Sequence, residues 1–366
     1  MDSEQPIYRI LDASLNRALE GLRVCEDYAR FVLNDARLTL RLKELRHALA
    51  VAAAALPLHR RHAARDVTGD VGTGLTTPTE TGRADAWHAC LANFSRVKEA
   101  LRTLEEYGKT VAPEWAAACE QLRYRVYALE AAATGAQRAA SRLADVRICV
   151  LIEGEASPEA FAVRCRRLLE AGADMLQLRD KRLTDRELAA RARQVTALVR
   201  EVRRDPATRS REDGPPPAAA PLAIVNDRSD IAGASDADGV HLGQDDLSLA
   251  DARAVLGPDK LIGVSTHSLD QADAAVLAGA DYLGAGPTFP SETKQFAVFP
   301  GLAYLQELTA RTAAPAFAIG GITPANVGAV RAAGATRLAV ARVAATDDPR
   351  PVLAALRRGL ADSSAP

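Results

Sequence analysis

The five cysteines of this chain (Cys25, Cys90, Cys119, Cys149 and Cys165) are odd in number and form neither a Cys-x-x-Cys pair nor any metal-ligand spacing. That excludes a disulfide framework and reads as reduced thiols in a cytoplasmic protein. There is little net charge, formally −1 over 366 residues, which argues against general binding to nucleic acid or to an anionic membrane and leaves room for a local cationic pocket. No apolar run reaches the length of a membrane span, and the start, Met-Asp-Ser-Glu-Gln-Pro, is acidic where a signal segment would be basic and then apolar. A P-loop is missing, as are a protein-kinase loop and a glycine-rich dinucleotide turn. What is present is a 48% hydrophobic content, ample for buried cores, in a length that predicts more than one domain.

The texture changes once. From Tyr8 to about Ala132 the periodicity is helical, whereas from Val146 onward short β-like runs alternate with helices. This predicts a helical domain over 1–132, a helix end and linker over 133–145, and an α/β domain over 146–366. Within the latter, 205–221 carries Pro215-Pro-Pro217 and no apolar pattern, and reads as a flexible surface insertion.

Eight strands are predicted: Val146 to Ile152, Met175 to Leu178, Leu222 to Val225, Gly239 to Leu242, Leu261 to Val264, Tyr282 to Ala285, Ala316 to Ile319 and Arg337 to Val340. A helical segment after each suits a (β/α)8 barrel, whose chemistry sits on the loops after the strands. The runner-up, a doubly wound sheet, would show a dinucleotide turn after its first strand, and Glu153-Gly-Glu-Ala-Ser157 is not one.

The polar residues fall where a barrel would use them. Gln177-Leu-Arg-Asp-Lys181, Asn226-Asp227 and Gly243-Gln-Asp-Asp246 place amides, cations and carboxylates at successive strand ends. Asp227 and Asp246 suit a hard cation such as Mg2+, which takes one or two carboxylates and completes its shell with water and phosphate oxygens. Arg179, Lys181 and Lys294 carry the opposite charge, which fits a departing diphosphate. Taken singly, a strand-end aspartate reads as a helix cap and a lysine as a solvated cation; their coincidence at several strand ends favours a site. Gly320-Gly321 after the seventh strand would let backbone N–H groups approach a phosphate, with Ala341-Arg342-Val343 completing the turn. The loop Gly286-Pro-Thr-Phe-Pro-Ser-Glu-Thr-Lys294 resembles a lid.

Together with Gly239-Val-His-Leu242, Gly263-Val-Ser265 and Ile319-Gly-Gly-Ile322, these motifs resemble, in order and from about Val146 to Leu360, the thiamine-phosphate synthase family. The resemblance implies a transferase joining 4-amino-2-methyl-5-(diphosphomethyl)pyrimidine to a thiazole phosphate, with Mg2+ as cofactor. Gln177, Leu178, Arg179, Asp180, Lys181 and Asn226 would hold the pyrimidine diphosphate, and Asp227 and Asp246 the metal. Ser265 and Lys294 would contact the departing diphosphate. Ser291, Thr293, Gly321, Ala341 and Arg342 would meet the thiazole phosphate. Arg179, Lys181, Ser265 and Lys294 are then the catalytic set. His241 matches the family's motif, but strand alternation is expected to turn it away from Asp246 into a structural role. A thiazole tautomerase or a ligand-sensing regulator shares the barrel; neither needs the paired aspartates.

In the helical half, residues 17–30 recur as residues 96–109, an internal duplication. Arg23 and Arg102 occupy matching places on polar helix faces. The plain reading is a pair of amphipathic helices with i,i+4 ion pairs. The half also resembles a domain joined to thiamine-phosphate synthase in some bacteria and proposed to phosphorylate hydroxymethylpyrimidine phosphate, which leaves kinase activity against a docking or oligomerisation role open.

Overall fold

The computed structural model describes residues 4–66, 69–71, 82–204, 220–290 and 299–361. Two compact units divide between Gln137 and Arg138.

The first unit holds α1 (Gln5–Phe31), α2 (Ala36–Ala52), α3 (Leu58–Ala63), α4 (Ala86–Gly108) and most of α5 (Pro113–Arg142). Asp35 caps α2 by accepting from the N–H groups of Arg37 and Leu38, and Asp85 caps α4 through His88 N–H. Leu11, Leu15, Leu22 and Cys25 of α1 are buried, as are Phe94, Val97, Leu101 and Leu104 of α4. The two helices approach closely at Gly21, where a Cβ would stand 2.7 Å from Val97 Cγ2. The duplicated stretches are α1 and α4, and their matching acids, Glu26 and Glu105, are each only 3% exposed. An arginine from the following helix meets each: Arg46 Nε donates to Glu26 at 3.0 Å, and Arg123 donates to Glu105 Oε2 through Nε (3.2 Å) and Nη2 (3.0 Å). Burial pushes the Glu105 carboxyl up, yet Arg123, Lys109 and Arg102 outweigh it and hold the group below its ordinary range. Arg23 and Arg102 are half-exposed and pair along their own helices. Removal of the buried cation in Arg123→Ala is therefore expected to cost about 3 kcal/mol, against a few tenths, about 0.3 kcal/mol, for Arg102→Ala. Urea denaturation of the full chain checks this, and equal losses would contradict it.

The second unit is the expected barrel. Its strands are β1 (Ile148–Ile152), β2 (Met175–Leu178), β3 (Leu222–Asn226), β4 (Gly239–Leu242), β5 (Leu261–Thr266), β6 (Tyr282–Ala285), β7 (Ala316–Ile319) and β8 (Arg337–Val340), all parallel and closed by β1 pairing with β8. Helices α6 (Pro158–Glu170), α7 (Asp185–Arg204), α8 (Ser229–Ala234), α9 (Leu249–Leu256), α10 (Leu269–Leu277), α11 (Gly301–Arg311), α12 (Val327–Ala332) and α13 (Arg350–Ala361) follow the strands in turn. Strand residues alternate between a layer packed on these helices, with Val150, Leu178, Val225 and Val240, and an interior with Cys149, Met175, Ile224, Leu261, Tyr282 and Phe317. The insertion expected over 205–221 lies outside the described residues up to 219.

The segment expected to be a helix end and linker, 133–145, is a helix end as far as Arg142, and it is packed rather than loose. Residues 133–142 are the last turns of α5, and Ala139, Leu143 and Val146 pack with the interior residues of the strands. Its alanines and arginines look polar and featureless in one dimension; the arginines are in fact ligands of the barrel floor. Val146, read as the first strand residue, joins that floor cluster instead, and β1 starts at Ile148.

Three aspartates organise the floor. Asp174, Asp238 and Asp281 stand just before β2, β4 and β6, and each carboxylate accepts from backbone N–H groups at the start of the preceding odd-numbered strand. Arg147 and Ile148 donate to Asp174 at 3.0 Å, Ala223 to Asp238 at 2.8 Å, and Ile262 to Asp281 at 2.7 Å. Arginines complete each one: Arg357 for Asp174, Arg203 and Arg142 for Asp238, and Arg253 and Arg138 for Asp281. Before β8 the matching residue is Thr336.

Candidate active site

The opposite end of the barrel gathers the polar strand ends. Gln177 is buried on β2, and further along the strands Asn226 pairs with His241, His241 with Gly263, and Ser265 with Gly284. The two glycines make room: a Cβ on Gly263 would lie 2.1 Å from the Tyr282 ring, and one on Gly284 would lie 3.0 Å from His241 Cε1.

His241 is thus not turned away from the site. Its Nε2 is 2.9 Å from Ser265 Oγ and its Nδ1 is 3.3 Å from the Tyr282 hydroxyl. Burial lowers its pKa to about 4, with Arg179 adding to the effect and Asp246 opposing it, so the imidazole is neutral at pH 7. The alternation argument failed because it was applied to Asp246, which lies on a loop four residues beyond the strand and does not obey the strand's period. Gln244 also escaped the sequence reading: its amide donates to the Ser265 carbonyl at 2.6 Å and ties the β4 loop to β5.

Asp227 and Asp246 come together. Asp227 follows β3 with φ +62°, in the left-handed region, and its N–H donates to the His241 carbonyl at 2.8 Å. Asp246 Oδ2 accepts from Gly243 N–H at 2.6 Å. Partial burial, a hydrogen bond with Asp246 and that residue's charge push Asp227 up to about 6, against the pull of Lys181 and Arg179. Lys181 Nζ stands 3.9 Å from Asp227 Oδ2. Below about pH 6 Asp227 holds a proton beside Asp246, and a bound cation would neutralise the pair in that proton's place. No group of three or more His, Cys, Asp or Glu able to hold a metal occurs among the described residues. The pair fits an ion that draws its other ligands from water and phosphate, as Mg2+ does, better than one needing a complete protein cage.

Other expected residues stand differently. Leu178 is fully buried in the layer facing the helices, so only its backbone is available to a ligand. The Asp180 carboxylate is committed to its loop: it accepts from Gly154 N–H at 3.0 Å and from Arg182 N–H at 2.8 Å, and the Arg182 contact holds it down at about 2. It also lines a cavity of about 470 Å³ between the β1 and β2 loops, with Glu153, Glu155, Ala156, Arg182 and Leu183. Gly320 and Gly321 have φ of +104° and +66°. Ala341 and Arg342 are exposed after β8. Ser291, Thr293 and Lys294 lie outside the described residues.

A family model described as thiamine monophosphate synthase matches residues 217–344, and one described as the ThiD2 family matches residues 9–132. Among solved structures, thiamine phosphate pyrophosphorylase from Pyrococcus furiosus is 32% identical with a TM-score of 0.49, covering 59% of this chain and 96% of that one. A thiamine-phosphate synthase of Synechocystis sp. is 43% identical over 93% of this chain and 92% of its own length. That of Rhodopirellula baltica is 43% identical over 93% of this chain and 89% of its own length. Likeness of that degree spans both units, and the chain belongs to the thiamine-phosphate synthase family.

Proposed function

We infer that the barrel condenses 4-amino-2-methyl-5-(diphosphomethyl)pyrimidine with a thiazole phosphate to give thiamine phosphate and diphosphate. The observation that carries this reading is the acid pair Asp227 and Asp246 set beside Arg179 and Lys181 at the mouth of the barrel. Charge of both signs at one point suits a diphosphate held with a cation.

The C–O bond between the pyrimidine methylene and diphosphate breaks, its electron pair leaving with the diphosphate oxygen, and the thiazole nitrogen forms the new C–N bond with its lone pair. No proton has to move. The protein's task is to gather charge and align two substrates, so no side-chain nucleophile is needed. Arg179, Lys181 and Lys294 face the growing charge on the diphosphate, and Ser265 donates to one of its oxygens. Gln177 and Asn226 offer amides to the pyrimidine, and the neutral His241 fixes the Ser265 hydroxyl from below. The N–H groups of Gly321, Ala341 and Arg342, together with Ser291 and Thr293, receive the thiazole phosphate. Asp227 and Asp246 would hold Mg2+, which supplies charge neutralisation on the diphosphate.

The test is formation of thiamine phosphate by the purified chain from the two substrates. Chelation of divalent cations is expected to reduce the rate by at least about 100-fold, restored by added Mg2+. A rate indifferent to chelation would remove the metal from the reading.

For the first unit, the pairing of Arg23 and Arg102 with acids of their own helices supports the plain reading of amphipathic helices with ion-paired faces over phosphate capture by these arginines.

A further inference from the structure

The loop after β6 does not stand free of β7. Thr288 donates to the Ile319 carbonyl from its backbone N–H (2.8 Å) and its hydroxyl (3.1 Å), and Phe289 N–H donates to the Gly320 carbonyl at 3.0 Å. The contact is tight as well as bonded. A Cβ on Gly320 would sit 2.8 Å from Pro287 Cβ, and one on Gly321 would sit 2.9 Å from Phe289 Cβ and 3.0 Å from the Pro290 carbonyl. The path of 286–290 and the shape of the Gly320–Gly321 turn therefore determine one another.

From the β5 side this unit is held by a histidine that neither the sequence reading nor the mechanism uses. His267 Nδ1 lies 2.5 Å from the Gly286 carbonyl oxygen. A carbonyl can only accept, so Nδ1 carries the proton. The histidine is itself fixed: its backbone N–H donates to Gln271 Oε1 at 2.7 Å in α10, and the preceding Thr266 hydroxyl donates to Gly284 O at 3.2 Å and pairs with the Tyr304 hydroxyl at 2.6 Å. A fixed donor just after β5 thus sets where the β6 loop leaves its strand, one residue before it lies down on the Gly320–Gly321 turn.

We propose that His267 is a positioning residue for the thiazole-phosphate half of the site, acting by holding the Gly286 carbonyl and with it the β6 loop against Gly320–Gly321. The proposal rests on the synthase reading above. Its main effect falls on that half, because the held residues 286–290 lie against Gly320–Gly321, whereas Gln177, Arg179, Lys181, Asn226 and the acid pair stand on or just after β2, β3 and β4.

The test is steady-state kinetics of the full chain with each substrate varied in turn. His267→Ala is expected to raise KM for the thiazole phosphate about tenfold, the loss of one well-aligned hydrogen bond, with KM for the pyrimidine diphosphate within about twofold. His267→Asn can place an amide N–H where Nδ1 stands and is expected to recover most of the loss; His267→Gln, whose amide reaches the Nε2 position, is not. The comparison of Asn with Gln holds even if the alanine variant fails to fold. Equal rises in both KM values, no rise in either, or equal behaviour of Asn and Gln would overturn the proposal. A wild-type chain that forms no thiamine phosphate would sink the synthase reading and this proposal with it; an active one lacking the split sinks the proposal alone.

Discussion

Asp246→Asn is expected to lower the rate of thiamine phosphate formation by at least about 100-fold while leaving the metal-free protein as stable as before or more so. The two effects part company because of the electrostatics of the pair. In the free protein Asp227 is pushed up to about 6 by partial burial and by Asp246. A folded-state pKa above the unfolded value means that the folded chain holds its proton more tightly. The stability this contributes is present below about pH 4 and is lost as pH rises through about 6, where two carboxylates must face each other ionised. Asparagine at either position removes that repulsion. The melting temperature of the metal-free wild type should therefore fall between about pH 4 and 6 and level off above that, and the fall should shrink in Asp246→Asn. Mg2+ would take the place of the Asp227 proton, so the rise in melting temperature on its addition should grow with pH in the wild type and vanish in the variant. A fully active Asp246→Asn protein, or one whose metal-induced shift persists, would rule the pair out as the metal site.

The largest stability effect is expected at the other end of the barrel. Asp281 is wholly buried, and burial pushes its carboxyl up against the pull of Arg138, the Ile262 N–H and Arg253. Arg253 is in turn driven below its usual value by desolvation. Both members of the pair bear the cost of leaving water, so deleting one strands the other. Asp281→Ala is expected to destabilise the chain by about 3–5 kcal/mol. Asp281→Asn, which still accepts from Ile262 N–H, should lose less. The same reasoning reaches the helix ahead of the barrel: a fragment starting at residue 146 lacks Arg138, Arg142 and Leu143, and is expected to melt well below one starting at 133. Chemical denaturation of the four proteins decides the matter; a fragment from 146 that matches the longer one would return 133–145 to the status of a linker.

Most of the barrel was legible because its strands are short apolar runs cut off by polar residues, and the predicted limits of β2, β4, β6, β7 and β8 coincide with those observed. Asp227 and Asp246 could be singled out because like charges at two strand ends need a reason to be there. The floor could not be read in this way. Asp174, Asp238 and Asp281 look like turn residues, and their partners lie up to 183 positions away in the chain, as with Asp174 and Arg357. Leu178 and Asp180 show a limit of reading a motif as a unit: the side chain of one packs outward and that of the other fastens its own loop. Gln244 and His267 escaped because a hydrogen bond to a neighbouring element leaves no spacing to detect.

The floor aspartates recur once per pair of strands, which divides the barrel into quarters, and the fourth quarter breaks the pattern with Thr336. There Arg337 reaches the Leu143 carbonyl, and among the described residues no carboxylate is recorded accepting from the start of β7 as one does for β1, β3 and β5. Local opening should be cheapest in that quarter. In native-state hydrogen exchange, amides of β7 and β8 are expected to show the lowest protection among the strands. The turns at Gly320–Gly321 and Ala341–Arg342 ride on those two strands, so the part of the rim proposed to receive the thiazole phosphate is expected to be the least firmly rooted.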